Sequence, residues 1–125
     1  VNRSYRRDQL AGIYRAAKVG LVTPLRDGMN LVAKEYVAAQ DPADPGVLIL
    51  SRFAGAAEQM GEALIVNPFS REDVSDAIAR GLAMPLNERR RRWEVLMEGL
   101  KATDVSAWRD RFVSALMAPE ARAAP

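Results

Sequence analysis

The 125-residue chain contains no cysteine and no histidine. Without cysteine, disulfides, thiol catalysis and a thiolate-held metal are all excluded. Without histidine there is no Ser–His triad, no imidazole base and no imidazole-bound zinc. An Asp-x-Asp metal signature is missing as well. No apolar run approaches the length that spans a bilayer and no signal peptide is visible, so a cytoplasmic protein off the membrane is the expectation. The net charge of +2 is too small to argue for nucleic acid. What is present is ordinary globular composition, 49% hydrophobic and 27% charged, long enough for one domain with a modest core. The basic residues are mostly arginine, densest at Arg89-Arg90-Arg91-Arg92 inside a helical pattern. Such a run is expected to be a solvated helix face rather than a phosphate patch.

Periodicity places the elements. Leu10, Ile13, Tyr14 and Ala17 form one apolar stripe on a helix over 6–17. Val19 to Thr23 reads as a strand stopped by Pro24, and Met29 to Ala39 as a second helix. The turn-rich stretch 41–46 leads into a strand over 47–50. A short helix over 54–60 then precedes a third strand over 63–66. The strands are apolar throughout, as expected when helices cover both faces of a parallel sheet. Ser70 and Asp73 have the spacing of a helix cap, ahead of a buried stripe Val74, Ala77, Ile78 and Leu82. After Pro85, Trp93, Leu96, Met97 and Leu100 repeat the spacing, and Asp104 opens a last helix with Val105, Trp108, Phe112 and Leu116 inward. The tryptophans are expected to be core residues rather than sugar-stacking platforms. Residues 118–125 read as a mobile tail.

The segment with most chemical content is Leu25-Arg26-Asp27-Gly28-Met29-Asn30-Leu31-Val32-Ala33-Lys34-Glu35. A strand, a Gly-containing turn and a helix in succession aim free backbone N–H groups at an anion. Asp27 lies just before the turn and Glu35 about two helical turns beyond it. A nucleotide sugar, with a diphosphate between hydroxyl-rich rings, suits that spacing. Read from spacing alone, the segment is equally an ordinary connection with Gly28 present for backbone conformation. Lys34 lies well past the helix start, where a solvent-exposed side chain is the commoner outcome.

Residues 19–35 (VGLVTPLRDGMNLVAKE), with Leu50-Ser51-Arg52-Phe53-Ala54-Gly55-Ala56-Ala57 and Ala63-Leu64-Ile65-Val66-Asn67-Pro68-Phe69, resemble the trehalose-6-phosphate synthase family. The resemblance covers residues 1–117. It implies a retaining glucosyltransferase of the GT-B type that moves glucose from UDP-glucose to glucose 6-phosphate. The fold class implied is α/β: part of the C-terminal Rossmann-like domain of a GT-B fold, a short parallel sheet flanked by helices, then C-terminal helices. A related enzyme using another nucleotide sugar, or a non-catalytic truncated module, is the alternative.

The family's site residues carry over by position. Asp27 matches the acidic residue that contacts the transferred glucose and stands as the catalytic candidate. Gly28, Met29, Asn30 and Leu31 match the backbone that holds the phosphates, and Val32, Ala33, Lys34 and Glu35 continue the donor site, Glu35 at the ribose hydroxyls. The seven residues between Asp27 and Glu35 fit the acidic-x7-Glu pattern seen across several retaining GT-B glycosyltransferases. Tyr5 matches an aromatic position near uracil, where the family commonly has phenylalanine, and Leu10 falls near the same pocket. The resemblance implies transfer without metal or other cofactor. It also implies that the Arg/Lys pair gripping the diphosphate, the acceptor site and the missing N-terminal domain lie upstream of Val1, and that the isolated chain binds nucleotide weakly at most. Homo-oligomer formation stays open.

Overall fold

The computed structural model describes residues 4–28 and 30–102. The element order is α1 (Arg7–Ala16), β1 (Val19–Val22), α2 (Leu31–Ala39), β2 (Val47–Ser51), a 3-10 turn (Gly55–Glu58), β3 (Leu64–Val66), α3 (Arg71–Ala83) and α4 (Leu86–Ala102). The strands form one parallel sheet in the order β1-β2-β3, with Val19 opposite Val47 and Ile49 opposite Leu64. The last predicted helix, with Trp108, and the predicted tail lie outside the described residues.

Two apolar clusters cover the two faces of β2. Leu48 and Leu50 pack with Ala33, Tyr36 and Val37 of α2 and Leu96 of α4, joined by Trp93, Met97 and Leu100. Val47 and Ile49 pack on the opposite face with Leu64, Val66 and Ala77 of α3. Alternate side chains of a strand point to opposite faces, so β2 is buried at every position. The outer strands depart from the expectation of complete cover, since Leu21 is 48% and Ile65 39% exposed.

Tyr36 sets how closely α2 approaches the sheet. Its ring lies where a Cβ on Gly20 would sit, 2.8 Å from three ring carbons, and its hydroxyl lies against Gly46. That hydroxyl donates to the Ala17 carbonyl at 2.8 Å. Burial pushes the phenol up to about 12 from 10.0, because the phenolate would lose its hydration. Buried Gln40 joins three segments: Nε2 donates to the carbonyls of Tyr14 and Tyr36, and Oε1 accepts from the Gly46 amide. Trp93 Nε1 donates to the Val37 carbonyl at 2.9 Å, so this indole is a core group, as its position on the helical stripe predicts.

Two sequence expectations change. In α3, Leu82 is 61% exposed and Gly81 faces the sheet instead, with the Val19 methyl 3.3 Å from where a Cβ would be. A glycine there brings the helix close enough to cover Val19 and Val47, which leaves Leu82 turned outward. The arginine run is not simply a solvated face. Arg89 donates to the Met84 and Pro45 carbonyls and to Asp44, and Arg90 donates to the Ala43 carbonyl. Arg92 donates to the Glu62 carbonyl, and Arg91 pairs with the Glu62 carboxylate at 3.3 Å. Carbonyls that end loops need donors, and guanidinium groups supply several in a fixed fork. The run therefore ties α4 to the 41–46 loop and the 59–63 turn. The Arg89 guanidinium, hydrogen-bonded to Asp44, holds that carboxyl below its usual range.

Candidate functional site

The carboxyl end of the sheet is where the Asp27 segment lies. β1 ends at Val22, and the chain passes through Pro24 to an isolated parallel bridge between Asp27 and Ala54. The Asp27 amide donates to the Phe53 carbonyl at 3.4 Å and the Gly55 amide donates to the Asp27 carbonyl at 3.2 Å. The two runs that carried the family resemblance, RDGMN and SRFAG, are thus partners in space. Gly55 makes this possible, because a Cβ there would collide with the Gly28 carbonyl. Sequence reading gave Gly55 no role; its only signal was membership of the second run.

Helix α2 starts at Leu31, two residues later than the predicted start at Met29. Asn30 has φ 51° and ψ 81°, a left-handed conformation that asparagine tolerates better than most residues and that a helix interior does not accept. Gly28 is not in a positive-φ conformation, and among the described residues no atom beyond its chain neighbours lies within 4 Å of where its Cβ would be. The backbone reason for Gly28 is therefore removed, and open space remains above it.

The polar groups converge. Asp27 Oδ1 accepts from the Gly28 amide at 2.8 Å, and Oδ2 accepts from Asn30 Nδ2 at 2.7 Å. Asn30 Oδ1 accepts from the Ala33 amide at 3.0 Å, a helix cap. Among the described residues, nothing accepts from the Leu31 and Val32 amides. Those N–H groups, at the positive end of α2, can meet an anion with about 0.3–2 kcal/mol of stabilisation. Glu35 is exposed, three and four residues after Val32 and Leu31, so it shares their face about one turn further along.

The predicted donor residues divide accordingly. Leu31, Val32 and Glu35 are exposed, Lys34 is half-buried and Ala33 is fully buried in the core. Ala33 can contribute to a ligand only by placing the helix, since its amide is taken by Asn30. The Gly28 amide is likewise engaged. Met29 lies outside the described residues. Tyr5 is half-buried ahead of α1. The C-terminal ends of α1 and α2 are joined by Arg15 Nε to the Ala39 carbonyl and by Gln40 to the Tyr14 carbonyl. The chain ahead of α1 therefore approaches from the end of α2 that carries Asn30. Beside Asp27, Phe53 and Phe69 form an exposed edge-to-face pair 5.7 Å apart. A hollow of about 380 Å³ lies elsewhere, along the free edge of β3 near Asp76 and Arg80, and shares no residue with this site.

A parallel sheet that presents a helix start and a carboxylate at its carboxyl end belongs to the α/β class whose ligands lie beyond the carboxyl ends of the strands. The comparisons narrow that class. The glycosyltransferase family 20 pattern matches residues 1–118. Trehalose-6-phosphate synthase of Sinorhizobium fredii is 60% identical over 122 residues, which are 98% of this chain and 26% of that protein. A solved E. coli trehalose-6-phosphate structure, bound with UDP-2-fluoro glucose, superposes with a TM-score of 0.88 at 53% identity, over 93% of this chain and 26% of that one. The α,α-trehalose-phosphate synthase (UDP-forming) from Burkholderia xenovorans, in complex with glucose-6-phosphate, gives 0.88 at 55% identity, over 94% of this chain and 26% of that one. The chain belongs to glycosyltransferase family 20, and its fold is part of a GT-B glycosyltransferase. It spans about a quarter of the length of the curated relatives it matches.

Proposed function

We propose that this chain supplies part of the donor site of an enzyme that transfers glucose from UDP-glucose to glucose 6-phosphate, giving trehalose 6-phosphate and UDP with retention at the anomeric carbon. The observation that carries the reading is the coincidence of Asp27, the free Leu31 and Val32 amides and Glu35 on one end of a family 20 domain. The amides meet the diphosphate and share the charge that builds up on the departing UDP. Asp27 accepts from hydroxyls of the glucosyl group and orients it, while Glu35 accepts from the ribose. Tyr5 stands toward the base.

Transfer in this reading needs no metal. A helix terminus contributes roughly 0.3–2 kcal/mol, whereas enzymes lower barriers by about 8–23 kcal/mol. Cationic side chains from the remainder of the intact protein therefore have to complete the phosphate site, and the acceptor glucose 6-phosphate binds there as well. We place the protein in the cytoplasm.

The test is direct. The intact protein is incubated with UDP-glucose and glucose 6-phosphate, UDP release is followed, and the anomeric configuration of the product is read by NMR. Release of UDP with an α,α-linked phosphorylated disaccharide is expected. Absence of turnover with UDP-glucose, alongside turnover with ADP- or GDP-glucose, would move the protein to a sibling activity, and no turnover with any donor would overturn the assignment.

A further inference from the structure

The side chain of Asn30 touches both halves of the site. The Ala33 amide can only donate and the Asp27 carboxylate can only accept, so chemistry fixes which end of the carboxamide is Oδ1 and which is Nδ2. One residue thereby spans from the helix start to the carboxylate, with hydrogen bonds of 3.0 and 2.7 Å. The left-handed backbone of Asn30 is what turns the side chain back over its own helix toward Asp27. The Gly28 amide holds the other carboxylate oxygen. Each oxygen then keeps a lone pair for a ligand. The charged side chains along the paired segments are Arg26 and Arg52, with Lys34 and Glu35 on α2, and among the described residues none of them forms an ion pair with Asp27.

Resting on the proposed donor site, we infer that Asn30 is a positioning residue whose side chain locks the Asp27 carboxylate to the start of α2. The groups facing the sugar hydroxyls and those facing the phosphates are thereby held at one fixed separation. A nucleotide sugar bridges these two ends, whereas a free nucleoside diphosphate touches only one. Loss of the lock therefore falls on glucosyl transfer and spares nucleotide affinity.

Two substitutions in the intact protein separate the two arms. Asn30→Ser keeps a cap for the Ala33 amide but has no N–H to reach Asp27. Asn30→Asp keeps the cap, the size and the tolerance of a left-handed backbone, and sets a second carboxylate against Asp27. The variant therefore caps α2 as the parent does and sets like-charge repulsion where the bond to Asp27 was.

A hydrogen bond to a charged group corresponds to about a 10–100-fold effect. Asn30→Ser is expected to lower kcat with UDP-glucose by roughly tenfold or more, with UDP affinity by calorimetry unchanged within about threefold. Asn30→Asp is expected to lower kcat at least as much, since repulsion replaces the bond to Asp27. Parental kcat in either variant overturns the inference. So does weakening of UDP binding in step with kcat in Asn30→Ser, which marks a general loosening of the helix start. Should Asn30→Ser fail to fold, the kcat of Asn30→Asp decides alone. Failure of the parent protein to turn over any nucleotide sugar is a separate result that removes the donor site and this inference with it.

Discussion

Replacing Gly55 by alanine tests how Asp27 is placed. The added Cβ would meet the Gly28 carbonyl oxygen in hard overlap and its carbonyl carbon at 3.0 Å. An ordinary C···O contact is about 3.3 Å or more, so the two segments must part by roughly 1 Å. Two backbone bonds hold them together, Asp27 to Phe53 at 3.4 Å and Gly55 to Asp27 at 3.2 Å. Giving up both costs about 1–3 kcal/mol. Keeping them and straining the backbone costs about the same, 1–3 kcal/mol, as overpacking does. The chain takes the cheaper course, so the destabilisation is about 1–3 kcal/mol either way, or a thermal midpoint lower by about 5–15 °C. A 1 Å displacement of Asp27 is also expected to lower kcat/KM for UDP-glucose by about 100-fold. Gly61→Ala is the control, since among the described residues no atom beyond its chain neighbours lies within 4 Å of its Cβ position and its φ is not positive. It should be neutral or stabilising by up to about 1 kcal/mol. Thermal unfolding by circular dichroism and donor kinetics read both outcomes. If Gly55→Ala melts and turns over like Gly61→Ala, the bridge does not position Asp27.

Three further outcomes are expected. Among the described residues Gly28→Ala meets no atom beyond its chain neighbours, so it should melt like the parent chain while a ligand that needs the open space loses affinity; unaltered UDP-glucose binding would place the donor elsewhere. Glu35→Ala removes an exposed carboxylate from the face of the free amides, and the donor KM should rise about tenfold with kcat little changed. Tyr36 keeps its proton in the folded chain up to about pH 12, whereas the unfolded chain releases it near 10. Its contribution is thus complete below pH 10 and declines as pH rises toward 12. In an alkaline titration a tyrosinate step should appear near pH 12 and be missing from Tyr36→Phe, which also loses about 1 kcal/mol with its bond to Ala17.

How much was legible depends on whether a residue acts through its local pattern or through a distant partner. Ser70 caps α3 with its hydroxyl 3.1 Å from the Asp73 amide, as its spacing predicts, because both groups lie within one turn. Trp93, Leu96, Met97 and Leu100 face the core because helical periodicity alone brings them to one side. Leu82 misled, since it follows the same periodicity yet lies beside Gly81, and only the approach of α3 to Val19 shows which of the two faces the sheet. The arginine run misled for a similar reason: its partners Ala43, Asp44 and Pro45 lie more than forty residues away in sequence.

Residue order by itself determined the alternation of strand and helix, the parallel sheet and the family, because these rest on periodicity and on runs of matching residues. It also placed Asp27 and Glu35 on either side of a helix start. Only the tertiary structure decided which amides remain free to bind. That choice depends on where α2 begins, which the left-handed Asn30 sets, and on Asn30 taking the Ala33 amide for itself. It likewise decided that Gly55 rather than Gly28 is the glycine the backbone requires, since the need arises from a contact between two segments that no spacing along one of them can show.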